Sequence, residues 1–521
     1  MKNLVKLLPV SVLTRFESFV MNDYKKAKIL VTKSNPEVLE EISKKKLIAV
    51  FKHAAKNVPA YADFLKKNNV DVSKIKTFED YNKFVPQTNK KNYIKKYGYE
   101  ARCFNGVLPF RGNIDESSGS SGSPTNWIRS VKEEDMLFKA AKFEFNYTFD
   151  SDNKDYIVLS AWSTGPWATG VKFCEIIEHY CLVKNTDTDV ENIIKTLKTF
   201  GKKYNYIIAG YPPFVKHLLD EGKKKINWKD YNVDIITGGE GIILEWVDYV
   251  KNHLKKGAKV ISSYGASDID IGVGFETPFS QLIRKVASKN KKLSMELFGH
   301  HEKLPMLFQY NPSMHCITNH INKQGKQEYQ ISLLDKNVVS PKIKYNLHDE
   351  GGVIKYTDMI KLLDKYEPKI AKKLKKFGNK SITKEVLKND VLKLPFLYVV
   401  GRSDGTISLD GANVYPHQIE MCLHSHPRLI KSTKSFRIGV DYDKKENINF
   451  NIKIHLNKGV KANDNLKQLY HNIILKRLME INSDFKESYL NDRSIINPCI
   501  CLHCHDHELF NVCRIKNKYI D

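Results

Sequence analysis

Between about residues 115 and 360, short apolar runs alternate with segments of helical periodicity, and few folds accommodate such an alternation. Four of the runs are Tyr156–Leu159, Tyr206–Ala209, Val233–Thr237 and Val260–Ser263, and a helical pattern follows each of them after a turn-forming residue. Alternating strands and helices favour βα units and a largely parallel sheet. Ligands of such sheets bind beyond the carboxyl ends of the strands, so we expect functional residues there.

The regions on either side of this central part differ from it. Residues 1–110 are mainly helical in pattern, and Met1–Phe19 is predicted to be an amphipathic helix packed on the body and not a signal peptide. A Lys-rich stretch at 361–393 is typical of a polar helical insertion. Because single cores stop growing near ~250–300 residues, we expect a large N-terminal domain, 1–403, and a small mobile C-terminal domain, 404–521. The predicted fold class is α/β, with a multi-layer N-terminal domain of largely parallel sheets and an α+β C-terminal domain.

The composition limits the partners of the chain. Hydrophobic residues make up 41% of it, and no run of ~18 apolar residues occurs, so we expect no membrane span and a cytoplasmic location. The formal charge is +25, but Lys outnumbers Arg and is spread along the chain. Nucleic-acid interfaces favour Arg for bidentate contacts. We therefore expect no nucleic acid partner, and nucleotides or coenzyme A remain as polyanionic ligands.

A run of small residues is typical of a phosphate-binding loop. Hydroxyl residues alternating with Gly let the backbone approach a phosphate and supply N–H and O–H donors around it. Alone, such a run is more often a flexible loop, but its place before a helix-like segment and among further motifs favours phosphate binding. Its residues are Ser117, Ser118, Gly119, Ser120, Ser121 and Gly122, followed by Ser123 and Pro124.

Two motifs end predicted strands. Ile236–Gly241 contains Gly239 and Glu240, and it also fits an ordinary tight turn from strand to helix. Tyr264–Asp268 has the sequence Tyr-Gly-Ala-Ser-Asp and ends in a carboxylate, which is a hard oxygen ligand. Both motifs lie where the parallel-sheet interpretation predicts ligand contacts.

Two later motifs complete the set. Lys344–Asp349 ends in a carboxylate that can accept two hydrogen bonds at once, although by itself it also fits a charged turn. The longest motif joins Gly401–Gly405, Gly-Arg-Ser-Asp-Gly, to Gly411–Glu420, Gly-Ala-Asn-Val-Tyr-Pro-His-Gln-Ile-Glu. A motif of this length rarely matches the pattern of a protein family by chance.

Together these motifs resemble those of the adenylate-forming superfamily, which contains acyl- and aryl-CoA ligases and peptide-synthetase adenylation domains. The phrase Gly272–Pro278 fits the phenylacetate–CoA ligase, or CapK-like, branch. The resemblance covers residues 110–420 well, and 421–521 by position and tail only. It implies an AMP-forming carboxylate–CoA ligase that activates a carboxylic acid with ATP as acyl-AMP and transfers it to the thiol of coenzyme A or a carrier protein. The alternative is a non-catalytic homologue that binds nucleotide or acyl-adenylate as a pathway partner.

The resemblance also implies a role for each motif residue. The carboxylate of Asp268 would hold Mg²⁺, and Asp404 would be the hinge between the domains. The residues implied to bind ATP or AMP are Ser117, Ser118, Gly119, Ser120, Ser121, Gly122, Gly239, Glu240, Tyr264, Gly265, Ser267, Asp349 and Arg402.

This chain departs from the family pattern at three lysine positions, which are occupied by Ser123, Ser408 and Asn511. The last is the lysine that reaches the α-phosphate in the family. We expect Lys516 to replace it as the catalytic cation, because it lies within a turn or two of strand of that position. Lys518 points to the same face and is the second choice.

The acyl pocket is predicted from residues that follow two strand ends: Trp167, Gly170, Gly210 and Tyr211. In the family these regions border the acyl group, and their aromatic and Gly content suits an aromatic or apolar carboxylic acid. Ordinary core packing explains each residue equally well. A homodimer is also expected.

The C-terminal region carries a group of Cys and His residues: Cys499, Cys501, His503, Cys504, His505 and His507. Thiolates and imidazoles can hold Zn²⁺. The spacing matches no standard finger or ribbon, and the alternation also suits a half-buried strand. We predict that this segment binds no metal stoichiometrically.

Overall fold

The computed structural model describes most of the chain. No helix within this part has both the length and the hydropathy that a membrane span requires. The described residues are 5, 7–116, 125–162, 164, 168–239, 241–300, 304–323, 325–370, 391–402, 407–409, 412–414, 416–442, 448–482, 485–486, 489–490 and 497–510.

The first hundred residues form a helical layer, as predicted. Pro36 and Pro59 stand in first turns of helices, where the missing N–H has no intrahelical partner to lose. Leu13, Val20 and Met21 are buried on one side of a helix that spans Val10–Met21, so it overlaps the predicted segment Met1–Phe19 but begins later. The helices are α1 (Val10–Met21), α2 (Tyr24–Lys33), α3 (Pro36–Asn57), α4 (Pro59–Lys67) and α5 (Phe78–Phe84).

An eleven-stranded sheet forms the centre of the molecule. In chain order its strands are β3 (Tyr156–Ala161), β4 (Leu182–Asn185), β5 (Asn205–Gly210), β6 (Asn232–Gly238), β7 (Val260–Ala266), β8 (Asp270–Phe275), β9 (Met306–Gln309), β10 (His315–Ile321), β11 (Gln327–Leu333), β12 (Tyr345–Ile354) and β13 (Phe396–Arg402). Their spatial order across the sheet is β10-β11-β12-β13-β9-β8-β7-β6-β5-β3-β4. The two preceding strands, β1 (Gly112–Glu116) and β2 (Asn126–Ser130), pair separately as an antiparallel hairpin.

Helices cover both faces of the sheet. Alternate residues of a strand point to opposite faces, so Ile157 and Leu159 pack with α8–α10, whereas Tyr156 and Val158 pack with α6 and α7. The helices are α6 (Asp135–Phe149), α7 (Ala168–Ile177), α8 (Val190–Phe200), α9 (Pro212–Gly222), α10 (Leu244–His253), α11 (Pro278–Ala287), α12 (Lys291–Phe298) and α13 (Tyr356–Tyr366).

The α/β fold class is confirmed, and all four strand-like runs named above are strands. Within the eleven-stranded sheet, the parallel pairs are those among β3–β7. The other half of the sheet is antiparallel, which the sequence analysis did not predict. Strands β10, β11 and β12 follow one another without helices, and such short connections favour antiparallel neighbours.

The described C-terminal residues form an α+β unit with its own core, which includes Ile452, Ile454, Tyr470 and Ile474. In it β17 pairs antiparallel with β16 and parallel with β18. The division at 403–404 stays a prediction. The elements are β14 (Ile407–Leu409), β15 (Ala412–Val414), α14 (Pro416–His424), α15 (Pro427–Ser432), β16 (Thr433–Tyr442), β17 (Ile448–Leu456), α16 (Asp464–Ile481) and β18 (Cys499–His503).

Candidate active site

Two of the sequence motifs meet through a pair of hydrogen bonds. The hydroxyl of Tyr264 donates to Oδ2 of Asp349 over 2.7 Å, and the hydroxyl of Tyr345 donates to Oδ2 of Asp268 over 2.8 Å. Tyr264 and Asp268 belong to the motif after β7, whereas Tyr345 and Asp349 lie on β12. The structure therefore joins Tyr264–Asp268 to Lys344–Asp349 at both ends.

Two glycines give these motifs their backbone shape. A Cβ on Gly265 would lie 2.3 Å from the carbonyl oxygen of Ile271, so only Gly allows this approach of β7 to β8. Gly239 has a φ of 77°, which is the left-handed conformation that Gly adopts without steric cost. It follows Gly238, which pairs with Ser263 of β7. The Gly239 turn thus lies beside the strand that carries Tyr264.

The motif that begins at Gly401 meets the same site through the pairing of β12 with β13, in which Asp349 lies opposite Arg402. The hydroxyl of Tyr329 donates to Tyr264 over 2.6 Å and lies 3.3 Å from Asp349. The sequence analysis did not single out Tyr329 or Tyr345. Both tyrosines hold a carboxylate that the resemblance assigns to nucleotide or metal.

The predicted phosphate loop connects the strands of the β1–β2 hairpin, and α6 starts only at Asp135. A helix thus follows the run, as expected, but strand β2 lies between them. Arg129 of β2 donates to the carbonyl oxygens of Ser267 and Ile269 over 2.8 and 2.9 Å, and to Asp115 of β1 over 2.6 Å. One side chain therefore fixes the hairpin beside the Tyr264–Asp268 motif.

Lys90 brings a cation to this site. Its Nζ lies 3.1 Å from Oδ1 of Asp268, and its side chain is 29% exposed, whereas Asp268 is almost buried. Thr88 pairs with Tyr345, donating to the carbonyl of Lys344 and accepting from Asn346, so the lysine is held at the start of β12. Sequence reasoning missed Lys90, because it lies in the helical layer far from every motif.

The fit of Asp268 to Mg²⁺ follows from its oxygens. Mg²⁺ is commonly held by one or two carboxylates together with substrate phosphates. Asp268 offers one carboxylate, and within the described residues no group of three Asp, Glu, His or Cys side chains is placed to hold a metal alone. Asp268 thus fits a metal that arrives with a triphosphate.

A second lysine, Lys342, lies near Lys90 and is buried. Lys342 is 6% exposed, and Lys342 and Lys90 lie over the Trp127 ring, with Nζ 5.0 and 5.6 Å from its centroid. Burial, reinforced by Arg129 and Arg102, lowers the pKa of Lys342 to about 7. Because the unfolded chain keeps a Lys pKa near ~10.4, it binds more protons than the folded chain between about pH 7 and 10.

Folding stability is therefore expected to rise with pH in that window. Between pH 7 and 9 the wild type should gain roughly 2 kcal/mol relative to Lys342→Met, since one pKa unit corresponds to ~1.4 kcal/mol. Urea unfolding of both proteins at the two pH values measures this, and the other titrating groups cancel in the comparison. Equal pH dependence in the two proteins would show that Lys342 titrates normally.

Of the predicted acyl-pocket residues, Gly210 and Tyr211 lie at the end of β5, beside the end of β3. Gly210 ends β5, and the buried ring of Tyr211 meets Trp162 edge-on, with centroids 4.7 Å apart. The indole Nε1 of Trp162 is buried without a hydrogen-bond partner in the described part of the chain. Gly170 is buried within α7. Trp162 and Tyr211 thus form a buried aromatic wall, and the N–H of Trp162 is a donor without a partner among the described residues.

In the C-terminal region, Cys499–His503 form β18, in agreement with the half-buried strand considered above. Burial raises the pKa of the Cys501 thiol. The expectation that this segment binds no metal stays a prediction.

Several predicted residues lie outside the described part of the chain, and the side chains of Arg402 and Ser408 also lie outside it. Their assigned roles stay predictions. The residues concerned are Ser117, Ser118, Gly119, Ser120, Ser121, Gly122, Ser123, Trp167, Glu240, Asp404, Asn511, Lys516 and Lys518.

No model of a known protein family matches the chain. No curated protein matches its sequence. Solved structures match its fold. The 2-hydroxyisobutyryl-CoA ligase in its postadenylation state, with R3-HIB-AMP, is 12% identical with a TM-score of 0.64, and the match covers 95% of this chain and 91% of that one. The same ligase in an open conformation, with 2-HIB-AMP and CoA, is 13% identical with a TM-score of 0.51, over 94% and 92% of the two chains. The chain thus has the fold of adenylate-forming CoA ligases.

Proposed function

We propose that this protein activates a carboxylic acid with ATP as acyl-AMP and then transfers the acyl group to a thiol. The observation that carries the proposal is the double link between motifs, Tyr264 to Asp349 and Tyr345 to Asp268. The paired residues are 85 and 77 positions apart in the chain, and the resemblance assigns both motifs to a single nucleotide site. The solved structures with this fold contain acyl-adenylates, which supports the proposal.

In the first reaction a carboxylate oxygen attacks the α-phosphorus of ATP, and pyrophosphate leaves. The reaction depends on positioning and charge neutralisation more than on covalent help from the protein. Asp349 accepts hydrogen bonds from the ribose hydroxyls, and Tyr264 offers its ring to adenine. Lys90, beside Asp268, contributes a positive charge to the triphosphate and partly compensates for Ser123. The carboxylate of Asp268 would hold Mg²⁺, which would supply further neutralisation of the phosphate charge.

For the finer identity of the reaction we propose an aromatic or apolar acid and the phenylacetate–CoA ligase branch. Trp162 and Tyr211 support the acid class, since an aromatic wall with one N–H donor fits a ring bearing a carboxylate. The acceptor is coenzyme A or a carrier thiol. The transfer reaction uses a rotation of the C-terminal domain about Asp404.

A non-catalytic nucleotide-binding role is the second candidate. It is favoured by the replacement of three family lysines by Ser123, Ser408 and Asn511. Both candidates require nucleotide binding, but only the first requires exchange of pyrophosphate into ATP. An exchange assay therefore distinguishes them.

Asp349→Asn is expected to weaken ATP binding about 10- to 100-fold, because hydrogen bonds to a charged group contribute ~1.5–3 kcal/mol. The amide keeps the shape of the carboxylate but loses its charge and one acceptor oxygen. Calorimetric titration with ATP and Mg²⁺ measures the change. Asp358→Asn, at an exposed carboxylate on α13, is the matched control. Unchanged affinity in Asp349→Asn would place the ribose elsewhere.

A further inference from the structure

A cavity of about 340 Å³ lies between the helical layer and the sheet, and Arg129 and Asp270 are among its lining residues. Helices α1, α3 and α6 line it together with the start of β8 and β10. Tyr264, Asp268 and Asp349 are not among its lining residues. Its volume falls within the range of roughly 300–1,000 Å³ that is usual for small-molecule sites.

The cavity is lined by both carboxylates and cations, and most of the carboxylates lie close to a cationic side chain. Buried charges in proteins are normally paired. Three ion pairs with nitrogen–oxygen distances of 2.5–2.6 Å account for half of the six lining carboxylates: Glu17–Lys46, Glu134–Lys172 and Asp135–Lys139. A fourth carboxylate, Glu133, lies 4.0 Å from Arg129.

Two lining carboxylates, Asp270 and Asp335, form no ion pair among the described residues, although Asp270 lies near Arg129 and raises the pKa of that guanidinium against the effect of burial. Each accepts a backbone N–H, Asp270 from Ile271 and Asp335 from Asn337. Burial raises the pKa of Asp335. Burial also raises the pKa of nearby Glu144 to about 8, and Asp270 adds to this effect. The lining as a whole has six carboxylates and four cations, which are Lys46, Arg129, Lys172 and Lys336.

A buried histidine also faces the cavity. His315 is 2% exposed, and its Nδ1 has no hydrogen-bond partner in the described part of the chain. Burial lowers its pKa to about 4, so the ring is neutral at pH 7, and Asp270 is close enough to oppose that shift. A neutral imidazole presents one acceptor nitrogen. A buried polar atom without a partner is costly, and a ligand with an N–H group would satisfy it.

We propose that this cavity binds a small alkylammonium ion. Its ammonium group is neutralised by Asp270 and donates a hydrogen bond to His315, and its alkyl chain lies against Val50, Leu137 and Leu334. The two unpaired carboxylates exclude an anion, because like charges repel at short range in a buried site. The apolar remainder of the lining favours a carbon chain over a bare inorganic cation.

Calorimetric titration of the wild-type protein with pentylammonium chloride, without nucleotide, tests the proposal. We expect saturable binding of pentylammonium at least tenfold tighter than that of 1-pentanol, which has a similar chain but no charge. Asp270→Asn should weaken pentylammonium binding at least tenfold. Ala49→Leu should abolish it, because Ala49 lines the cavity and the larger side chain fills it.

Three outcomes would overturn the proposal: no saturable binding by the wild type, equal affinities for pentylammonium and 1-pentanol, or full binding by Ala49→Leu. Circular dichroism checks that each variant is folded. If Asp270→Asn does not fold, Ala49→Leu and the pentanol comparison decide the question. None of these measurements involves adenylation, so failure here is distinguishable from failure of the proposed function.

Discussion

Lys90→Ala is expected to lower the rate of acid-dependent ATP–pyrophosphate exchange about 10²- to 10³-fold. The proposed function places the triphosphate close to Asp268, and Lys90 Nζ lies 3.1 Å from that carboxylate. Loss of one preorganised donor at a developing charge typically costs ~3–4 kcal/mol. Because Ser123 stands where the family pattern has a lysine, the proposed function predicts a heavier dependence on Lys90.

Lys91→Ala is the matched control, since Lys91 is the adjacent lysine and is exposed. Lys90→Arg should recover part of the rate, because it keeps the charge. Lys516→Ala and Lys518→Ala, measured in the same assay, report on the α-phosphate cation separately. Full exchange activity in Lys90→Ala would show that Lys90 serves only as an ion-pair partner of Asp268.

Arg284→Met is expected to destabilise the protein by about 3–5 kcal/mol, because it leaves a buried carboxylate without its partner. Arg284 is 1% exposed and donates to Glu276 over 2.9 Å, while Glu276 is fully buried. The same guanidinium donates to the carbonyls of Pro305 and Ile242. Glu276 in turn accepts from the backbone N–H of Ser262. The network therefore links the segment after Gly239 to the strand that carries Tyr264.

Urea denaturation of the wild type and the variant measures this difference. Lys361→Met removes one partner of the exposed Lys361–Asp358 pair and should cost under ~1 kcal/mol. The double variant Arg284→Met with Glu276→Met should be more stable than Arg284→Met alone, because it removes the orphaned charge. If Arg284→Met costs no more than Lys361→Met, the buried network does not support the fold.

Local patterns in the sequence identified the motif residues at the centre of the site. Tyr264–Asp268 and Lys344–Asp349 are each contiguous, so their residue types and spacing could be matched without a structure. The strands of the parallel half were also predictable, because each is a short apolar run followed by a helical pattern. The antiparallel half was not, since pairing between β9 and β13 joins segments about ninety residues apart.

Long-range contacts explain what the sequence analysis missed. Lys90 meets Asp268 only because Thr88 pairs with Tyr345, and no periodicity in residues 1–110 indicates that pairing. Arg129 reaches the carbonyls of Ser267 and Ile269 across 138 and 140 residues. Every residue has a backbone carbonyl, so the residue type does not show which carbonyls accept a side-chain hydrogen bond. These contacts are tertiary. They hold the motif residues in place, whereas the motifs themselves show only which residues belong to the candidate site.

Exchange of labelled pyrophosphate into ATP, measured for the wild type with Mg²⁺ against a panel of aromatic and aliphatic carboxylic acids, tests adenylation most directly. The proposed function predicts exchange that depends on an added acid, with an aromatic or apolar member of the panel giving the highest rate. A wild type that binds ATP but exchanges no pyrophosphate with any acid, while Asn511→Lys gains activity, would contradict it and establish the non-catalytic role.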